Sequence, residues 1–426
     1  MENQSKDPGC DDITTTFSIC STPIFELDLC WLKSTATINY ACITQKCLSE
    51  SIAKDVDKLF DGYLVRKDMN DFEGVEEFIK SRLTDPKKTR ILYWSDADIL
   101  EAARLREMFG VPGDNIDEAN ITLDKHKFKS YLKRADVKHA DFVHFKLTNA
   151  DDIESLITEV EAKITHYPMF GKPTNLDTAR CTSKIHNQVE LREYFFYTMG
   201  FPEIEFMIET FLEGKHYQIE AIIKKGHVAF DMAMHYPNPC QSSLFGLPLG
   251  CYMIPYESEV YAKAHSALSR LIPYLTNFIN GTIFLEFVYM NDDVYVMEGC
   301  RRKSGFPWMI FYYQAIGINF EEAYFKLAID RFDFFIPDSL KFTSNVGCVL
   351  FMKQTGIVVK RHELPALSSS VTDLELSRIG EKSISANRDQ KRDKSIILLL
   401  ENNDYDKLTE EIAGLLLWKP FEYQLL

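Results

Sequence analysis

The spacing of hydrophobic residues predicts alternating strands and helices in the first third of the chain. Short runs rich in β-branched and aromatic residues at 35–43 and 89–94 are typical of strands. At 51–60 and 97–109 hydrophobic residues recur every three or four positions, which is typical of amphipathic helices. The alternation of the two patterns predicts an open α/β domain over residues 1–118.

The middle of the chain combines further helices with hairpins. Amphipathic helices are predicted at four places, which are 124–134, 151–163, 188–199 and 319–330. Strand pairs are predicted around two polar turns, 217–223 with 228–235 and 282–290 with 294–298. The segment 341–426 ends in a predicted helix and has the pattern of a small α+β appendage.

Charge and composition exclude several classes of function. The chain has 426 residues, with 48 basic against 63 acidic side chains and a net charge of −15, which argues against nucleic-acid and anionic-membrane partners. The longest uncharged stretch, 232–256, is interrupted by prolines and glycines and predicts no membrane helix. The start of the chain lacks the pattern of a secretory signal. Ten scattered cysteines without a CxxC pair are typical of reduced thiols, so we expect a cytoplasmic protein without a zinc site.

The second hairpin brings two glutamates together. A turn centred on Asp292 pairs residue 290 with 294 and places Glu286 opposite Glu298. Opposed side chains of an antiparallel pair have Cβ atoms roughly 4.5–5.5 Å apart. Two carboxylates at that distance among apolar neighbours require either a proton or a hard divalent cation between them. A different register, with both glutamates solvated, is the alternative.

Two lysines near predicted strands are candidates for phosphate binding. Lys172 follows a short apolar run, and Lys125 stands at the start of a predicted helix. A lysine ammonium is a compact cation suited to phosphate. Taken alone, a lysine in either position is more often an ordinary surface residue.

From about residue 89 to residue 330, more than half its length, the chain resembles the ATP-grasp ligases. Six segments carry the resemblance by their order and spacing, and they are 102–113, 124–129, 167–173, 208–214, 284–287 and 297–305. The resemblance implies a mixed α/β and α+β fold: an N-terminal open α/β (pre-ATP-grasp) domain over 1–118, ATP-grasp domains over 119–340 with a lid at roughly 147–213, and the C-terminal appendage over 341–426.

The resemblance also implies a nucleotide site. Lys125 and Lys172 would contact the phosphates of ATP. Glu209, Phe211 and Leu212 match the hinge that holds adenine in the family.

Three further residues of the implied site lie on the predicted hairpins. His216 occupies the position of a ribose-binding glutamate in many relatives, and a strand-edge histidine without a ligand is the alternative. Glu286 and Glu298 match the paired Mg²⁺ ligands of the family, with Mn²⁺ as a second candidate ion.

The residues after Glu298 resemble one branch, the L-amino-acid ligases of the bacilysin-synthetase type. Cys300 stands where carboxylases and D-alanine ligases usually have asparagine. By the resemblance, Arg302 would bind a substrate carboxylate, and Phe306 or Trp308 would shape a side-chain pocket. A guanidinium suits this role because its planar fork binds a carboxylate through two hydrogen bonds. The alternative is that Arg301–Lys303 is a solvated basic run.

The segment after Lys172 departs from the family. Residues 174–184 contain no glycine, whereas relatives usually have a glycine-rich lid loop whose backbone amides approach the phosphates. Hydroxyl groups and Arg180 would have to take their place. This departure favours, as one alternative, a nucleotide-binding regulator without turnover.

Together these features predict an ATP- and Mg²⁺-dependent carboxylate–amine ligase. A substrate carboxylate would be converted to an acyl-phosphate, and an amine would then attack it to form an amide. His235 is the candidate base for the amine. The expected partners are small-molecule carboxylate and amine substrates, and a homo-oligomer is left open. A biotin-carboxylase-like enzyme is the alternative within the same fold.

Overall fold

The computed structural model describes residues 13–21, 27, 29–45, 56–176, 180–275, 280–305, 313, 315–336, 344–383 and 394–425. Within these ranges the chain forms four β-sheets and helices that pack against them. The predicted mixed α/β and α+β class is confirmed. No described helix is both long and apolar enough to cross a membrane.

The N-terminal domain is a sheet of four parallel strands in the order β3-β2-β1-β4. Its strands are β1 (Thr15–Cys20), β2 (Ile38–Thr44), β3 (Gly62–Arg66) and β4 (Thr89–Tyr93). Helices α1 (Phe72–Lys80) and α2 (Asp96–Phe109) pack on it. The open α/β architecture agrees with the prediction, but β1 and β3 were not predicted. All six residues of β1 are buried because it has a parallel neighbour on each side. Half of the helix predicted at 51–60 lies outside the described residues, and residues 56–59 are helical.

Two short helices lead from this domain into the rest of the chain. They are α3 (Ile116–Leu123) and α4 (Lys125–Arg134). The Asn115 side chain and Glu118 form a reciprocal capping box at the start of α3. Asp124 caps α4 by accepting hydrogen bonds from the backbone N–H groups of His126 and Lys127. The predicted domain boundary at residue 118 therefore falls inside α3.

A second, antiparallel sheet covers most of the range predicted for the lid, and we keep the name lid for it. Its strands are β5 (Phe142–Phe145), β6 (Met169–Pro173), β7 (Ser183–Ile185) and β8 (Phe206–Thr210), in the order β5-β8-β6-β7. Helices α5 (Ile153–Lys163) and α6 (Gln188–Thr198) share its apolar core. The sheet begins at Phe142, a few residues before the start predicted for the lid.

The central sheet carries the two predicted hairpins. Its first five strands are β9 (Lys215–Lys224), β10 (His227–Tyr236), β11 (Leu249–Met253), β12 (Gly281–Met290) and β13 (Asp293–Cys300). Helices α4 and α7 (Glu259–Leu271) pack on one face, and α8 (Phe320–Ala328) packs on the other. Asn319 caps α8 by accepting a hydrogen bond from the backbone N–H of Glu322.

The C-terminal segment corrects the prediction of an appendage, because three of its strands extend the central sheet. Its elements are β14 (Asn345–Met352), β15 (Gly356–Arg361), β16 (Ser370–Glu375), β17 (Lys382–Ser383), β18 (Lys394–Asn402), α9 (Tyr405–Leu415) and β19 (Phe421–Gln424). The antiparallel order is β13-β12-β9-β10-β11-β14-β18-β16. Because β11 pairs with β14, one hydrogen-bonded sheet crosses the predicted boundary at residue 341.

A buried carboxylate fixes α7 to the central sheet. Asp231 on β10 is 2% exposed. One of its oxygens accepts a hydrogen bond from the Tyr261 hydroxyl at 2.5 Å, and the other lies 2.6 Å from His265 Nδ1. The His265 imidazole is partly exposed and lies 3.4 Å from the Ser269 hydroxyl. This cluster therefore places a titratable group, the His265 imidazole, at the contact between α7 and the sheet.

We expect His265→Gln to lower the free energy of unfolding in mildly acidic solution and to have little effect in alkaline solution. The hydrogen bond and charge of Asp231 raise the pKa of His265 above its ordinary value of 6.5. The ion pair therefore stabilises the fold fully below that value and is lost as pH rises through the folded pKa. Urea unfolding at a series of pH values measures the difference, with Ser269→Ala as the control. A difference that does not change with pH would contradict the assignment.

Candidate functional site

A two-residue turn and a β-bulge together set the register of the β12–β13 hairpin. Asn291 and Asp292 have φ angles of 50° and 54°, as a type I′ turn requires, and residue 290 pairs with residue 293. The pairing predicted next to the turn, 290 with 294, is therefore wrong by one residue. A bulge beside Glu286 restores the register, so Glu286 does pair with Glu298 as predicted.

The two facing carboxylates form a strongly coupled pair. Burial, and then the charge of Glu298, raise the pKa of Glu286 to about 8, against the opposing influence of Arg302 and Lys125. Among the described residues no group of three or more His, Cys, Asp or Glu side chains is arranged to hold a metal ion. A hard cation between Glu286 and Glu298 would therefore complete its six or so oxygen ligands with water or with phosphate. The pair suits a cation that arrives with a phosphate ligand.

Three polar side chains on β9 lie on the same face of the sheet as Glu286. Gln218 pairs with Glu286, and His216 and Glu220 lie two positions away on either side, so all three share that face. Gln218 accepts a hydrogen bond from the Tyr236 hydroxyl at 2.9 Å and donates one to Glu220 at 3.4 Å. Burial lowers the pKa of His216. His216, predicted to contact ribose, thus lies on the same side of the sheet as the carboxylate pair.

His235 lies on the opposite face, which corrects its prediction as a base. It pairs with Tyr217, which pairs in turn with Phe287, and directly paired residues of antiparallel strands share a face. Tyr217 and Phe287 belong to the core under α7. His235 Nδ1 lies 2.8 Å from the Tyr252 hydroxyl, and burial lowers the pKa of His235 to about 4. The alternation of side chains along β10 therefore separates His235 from Glu286.

Lys125, the first residue of α4, connects the carboxylate pair to the lid. Its Nζ lies 3.7 Å from Glu298 Oε2 and donates a hydrogen bond to the Leu176 carbonyl at 2.9 Å. Its backbone N–H donates to the Thr174 carbonyl at 2.8 Å. The side chain is 15% exposed. The lysine predicted to bind phosphate thus stands between Glu298 and the loop that follows Lys172.

Lys172 belongs to a buried cluster with one carboxylate and a second lysine. Lys172 Nζ lies 2.6 Å from Glu209 Oε1, and Lys129 Nζ lies 3.0 Å from Glu209 Oε2. Burial opposes ionisation of Glu209, but the two ammonium groups outweigh it and lower its pKa to about 2. Lys129 was not predicted as a site residue. Its position in sequence is that of any residue on the buried face of α4, and only the fold brings it to Glu209.

The other predicted hinge residues follow β8 directly. Phe211 and Leu212 are half-buried. The Lys184 ammonium lies 3.9 Å from the centre of the Phe211 ring, and the Phe170 ring lies 6.1 Å from it. The two rings are tilted by 49° and provide apolar surface beside the Lys172 cluster, since Phe170 pairs with Glu209.

The basic run 301–303 is not solvated, which excludes the alternative of a solvated surface. Arg301 forms an ion pair with Asp114 at 2.7 Å, and Lys303 forms one with Glu321 at 2.6 Å. Arg302 forms an ion pair with Asp96 at the start of α2. All three cations thus pair with carboxylates from other elements.

The next residue, Ser304, fixes this loop to β9. Its backbone N–H donates a hydrogen bond to Glu220 at 2.8 Å, and its hydroxyl donates to the same carboxylate. Glu220 was not predicted as a site residue. The predicted pocket residues Phe306 and Trp308 lie outside the described residues, as does Thr178 of the glycine-free loop.

Sequence comparison connects part of the chain to D-alanine–D-alanine ligases. No family model matches the chain. The ligase of Acetivibrio thermocellus is 29% identical over 114 residues, which are 26% of this chain and 30% of that protein. The ligase of Streptococcus pneumoniae is 36% identical over 81 residues, which are 19% of this chain and 22% of that protein. The chain thus spans less than a third of the length of these curated relatives.

Structure comparison covers nearly the whole chain. An L-amino acid ligase from Bacillus licheniformis superposes with a TM-score of 0.74 at 14% identity, over 97% of this chain and 100% of that chain. A Campylobacter jejuni biotin carboxylase–β-γ-ATP complex gives 0.66 at 14% identity, over 93% and 89%. The biotin carboxylase domain of Hydrogenobacter thermophilus 2-oxoglutarate carboxylase, with MgADP and bicarbonate, gives 0.66 at 13% identity, over 97% and 91%. The chain therefore has the ATP-grasp fold.

Proposed function

We propose that this chain is an ATP- and Mg²⁺-dependent ligase that joins a carboxylate to an amine. The observation that carries the proposal is the pairing of Glu286 with Glu298, with the Lys125 ammonium 3.7 Å from Glu298. Two coupled carboxylates beside a cation suit a metal ion that bridges to phosphate. Aligned structures that hold MgADP or an ATP complex support the same reading.

Different residues of the chain would bind the nucleotide and the ion. Lys125 and Lys172 would bind phosphate oxygens, and the half-buried Phe211 and Leu212 would contact adenine. Glu286 and Glu298 would hold Mg²⁺, which when bound would neutralise charge during phosphoryl transfer from ATP to the substrate. The residue set fits both groups because it offers oxygen ligands for the ion and ammonium groups for the phosphates.

The reaction would have two stages. The substrate carboxylate would accept the γ-phosphoryl group of ATP, which gives an acyl-phosphate and ADP. The amine would then attack the acyl carbon and release phosphate, which leaves an amide. The contribution of the chain is to hold the reactants in position and to keep water from the acyl-phosphate.

Arg302 is the residue we assign to the substrate carboxylate. It is 18% exposed and already binds one carboxylate, that of Asp96. A substrate carboxylate would take the place of Asp96 on the guanidinium. The L-amino acid ligase alignment supports an amino-acid substrate.

A matrix of paired amino acids with ATP and Mg²⁺ tests the function directly. We expect phosphate release and an amide-linked product for at least one pair. Glu298→Gln should reduce ADP formation by roughly a hundredfold or more, because it removes a charge that holds the ion. ADP formation with bicarbonate alone would favour the biotin-carboxylase-like alternative. Nucleotide binding without ADP formation from any substrate would favour a regulator.

Arg302→Lys should impair the enzyme nearly as much as Arg302→Ala, because one ammonium cannot reproduce the two-pronged contact of a guanidinium. We expect the KM for the amino acid to rise between about tenfold and about a hundredfold, with ADP affinity unchanged. Steady-state kinetics and calorimetry measure the two quantities. Asp96→Asn is the companion variant and should lower the same KM, since it removes the competing carboxylate. Equal use of an amino acid and its methyl ester by the wild type would overturn this assignment.

We expect Glu286→Gln to stabilise the metal-free protein in alkaline solution. The folded-state pKa of Glu286 is raised to about 8 from its ordinary 4.5. The contribution of Glu286 to the stability of the wild type is therefore full below pH 4.5 and is lost as pH rises through 8. The variant lacks this loss. Urea unfolding of both proteins across that pH range provides the measurement. Identical pH profiles would show that the pKa of Glu286 is not raised by burial and by Glu298.

A further inference from the structure

A second group of buried charges, apart from the carboxylate pair, consists of Lys129, Lys172 and Glu209. Their exposed fractions are 1%, 7% and 6%. Each oxygen of Glu209 faces one ammonium, at 2.6 Å for Lys172 and 3.0 Å for Lys129. Three elements supply the cluster, since Lys129 lies on α4, Lys172 on β6 and Glu209 on β8.

The cluster holds one more positive than negative charge. Among the described residues Glu209 is the only carboxylate within ion-pair distance of either ammonium. Burial lowers the pKa of Lys129, and the charge of Glu209 opposes this shift. Asp141 also acts on Lys129, but it is exposed to water, which screens its charge. An uncompensated charge at such depth is costly, so it indicates a site prepared for an anion.

The arrangement constrains what each lysine can do. Without Lys129, the Lys172–Glu209 pair would be neutral and would attract phosphate weakly. With Lys129 on the second oxygen, Glu209 is shared, and Lys172 keeps its net positive charge while its ammonium stays fixed through Oε1. Lys129 itself lies 5.6 Å from the centre of the Phe142 ring and is walled off from solvent.

We propose that Lys129 is a positioning residue for nucleotide phosphate, acting through Glu209 on Lys172. This inference rests on the proposed function, because it takes the anion to be the phosphate groups of ATP or ADP. In this proposal the Glu209 side chain balances the charges of the two lysines, and its backbone would still contribute to the adenine hinge.

Calorimetric titration with ADP and with adenosine separates a charge effect from a structural one. We expect Lys129→Met to reduce the ratio of ADP affinity to adenosine affinity by about tenfold, because only ADP carries phosphate. Adenosine affinity should stay unchanged, and Lys129→Arg should retain the wild-type ratio. Lys127→Met is the matched control, since Lys127 is an exposed residue of the same helix.

The double variant Lys129→Met/Glu209→Gln tests the route through Glu209. It removes both members of one ion pair and leaves Lys172 with its positive charge, so most of the ADP preference should return. It restores the net charge of the wild-type cluster, so it still tests the charge argument if Lys129→Met alone does not fold.

Several outcomes would overturn the inference. Equal loss of ADP and adenosine affinity in Lys129→Met would indicate a purely structural residue. Unchanged affinity for both ligands would exclude a role of Lys129 in nucleotide binding. A double variant as impaired as Lys129→Met would indicate direct contact between Lys129 and phosphate. If the wild type binds no ADP, the proposed function itself fails, whereas normal wild-type binding with an unchanged ratio in Lys129→Met refutes the inference alone.

Discussion

The repulsion between Glu286 and Glu298 is the constraint on which the rest of the site depends. The hairpin register places the two carboxylates opposite each other, and partial burial prevents water from screening them fully. Such a pair persists only with a proton, a neighbouring cation or a metal ion. Lys125 and Arg302 partly offset the repulsion in the metal-free protein. A divalent cation would satisfy it completely, which is why we read the pair as a cation site.

The surrounding charges are balanced between elements distant in sequence. Arg301 and Arg302 pair with carboxylates of the N-terminal domain and its connection, Asp114 and Asp96. The Lys172 cluster joins the lid to α4 in the same manner. Each ion pair therefore holds two parts of the fold together. A substrate that replaces one member of such an ion pair would therefore also affect the contact between the two parts of the fold.

The hairpin illustrates how much of the site could be predicted from sequence. The opposition of Glu286 and Glu298 was predicted from a turn placed one residue off, and the prediction succeeded because a bulge restores the register. His235 failed for a related reason. Strand alternation puts it on the face of Tyr217, but a sequence alone does not say which face carries the site. Lys129 could not be found, since a lysine on a helical face gives no local signal of a buried carboxylate across the fold.

The fold was predictable where patterns are local and less so where pairing is long-range. The helices and both hairpins follow from periodicity and turn residues. The central strand β1 was missed because its polar threonines and serine obscure a buried strand. The C-terminal strands were taken for an appendage because their pairing with β11 joins residues about a hundred positions apart.

Binding of Mn²⁺, followed by its electron paramagnetic resonance signal as a probe for the divalent cation, tests the central claim most directly. We expect ADP to create a tight Mn²⁺ site in the wild-type protein, and we expect Glu298→Gln to abolish this site while leaving the fold intact. Mn²⁺ binding that is the same with and without ADP, or the same in wild type and variant, would contradict the claim that the Glu286–Glu298 pair holds a nucleotide-bound cation.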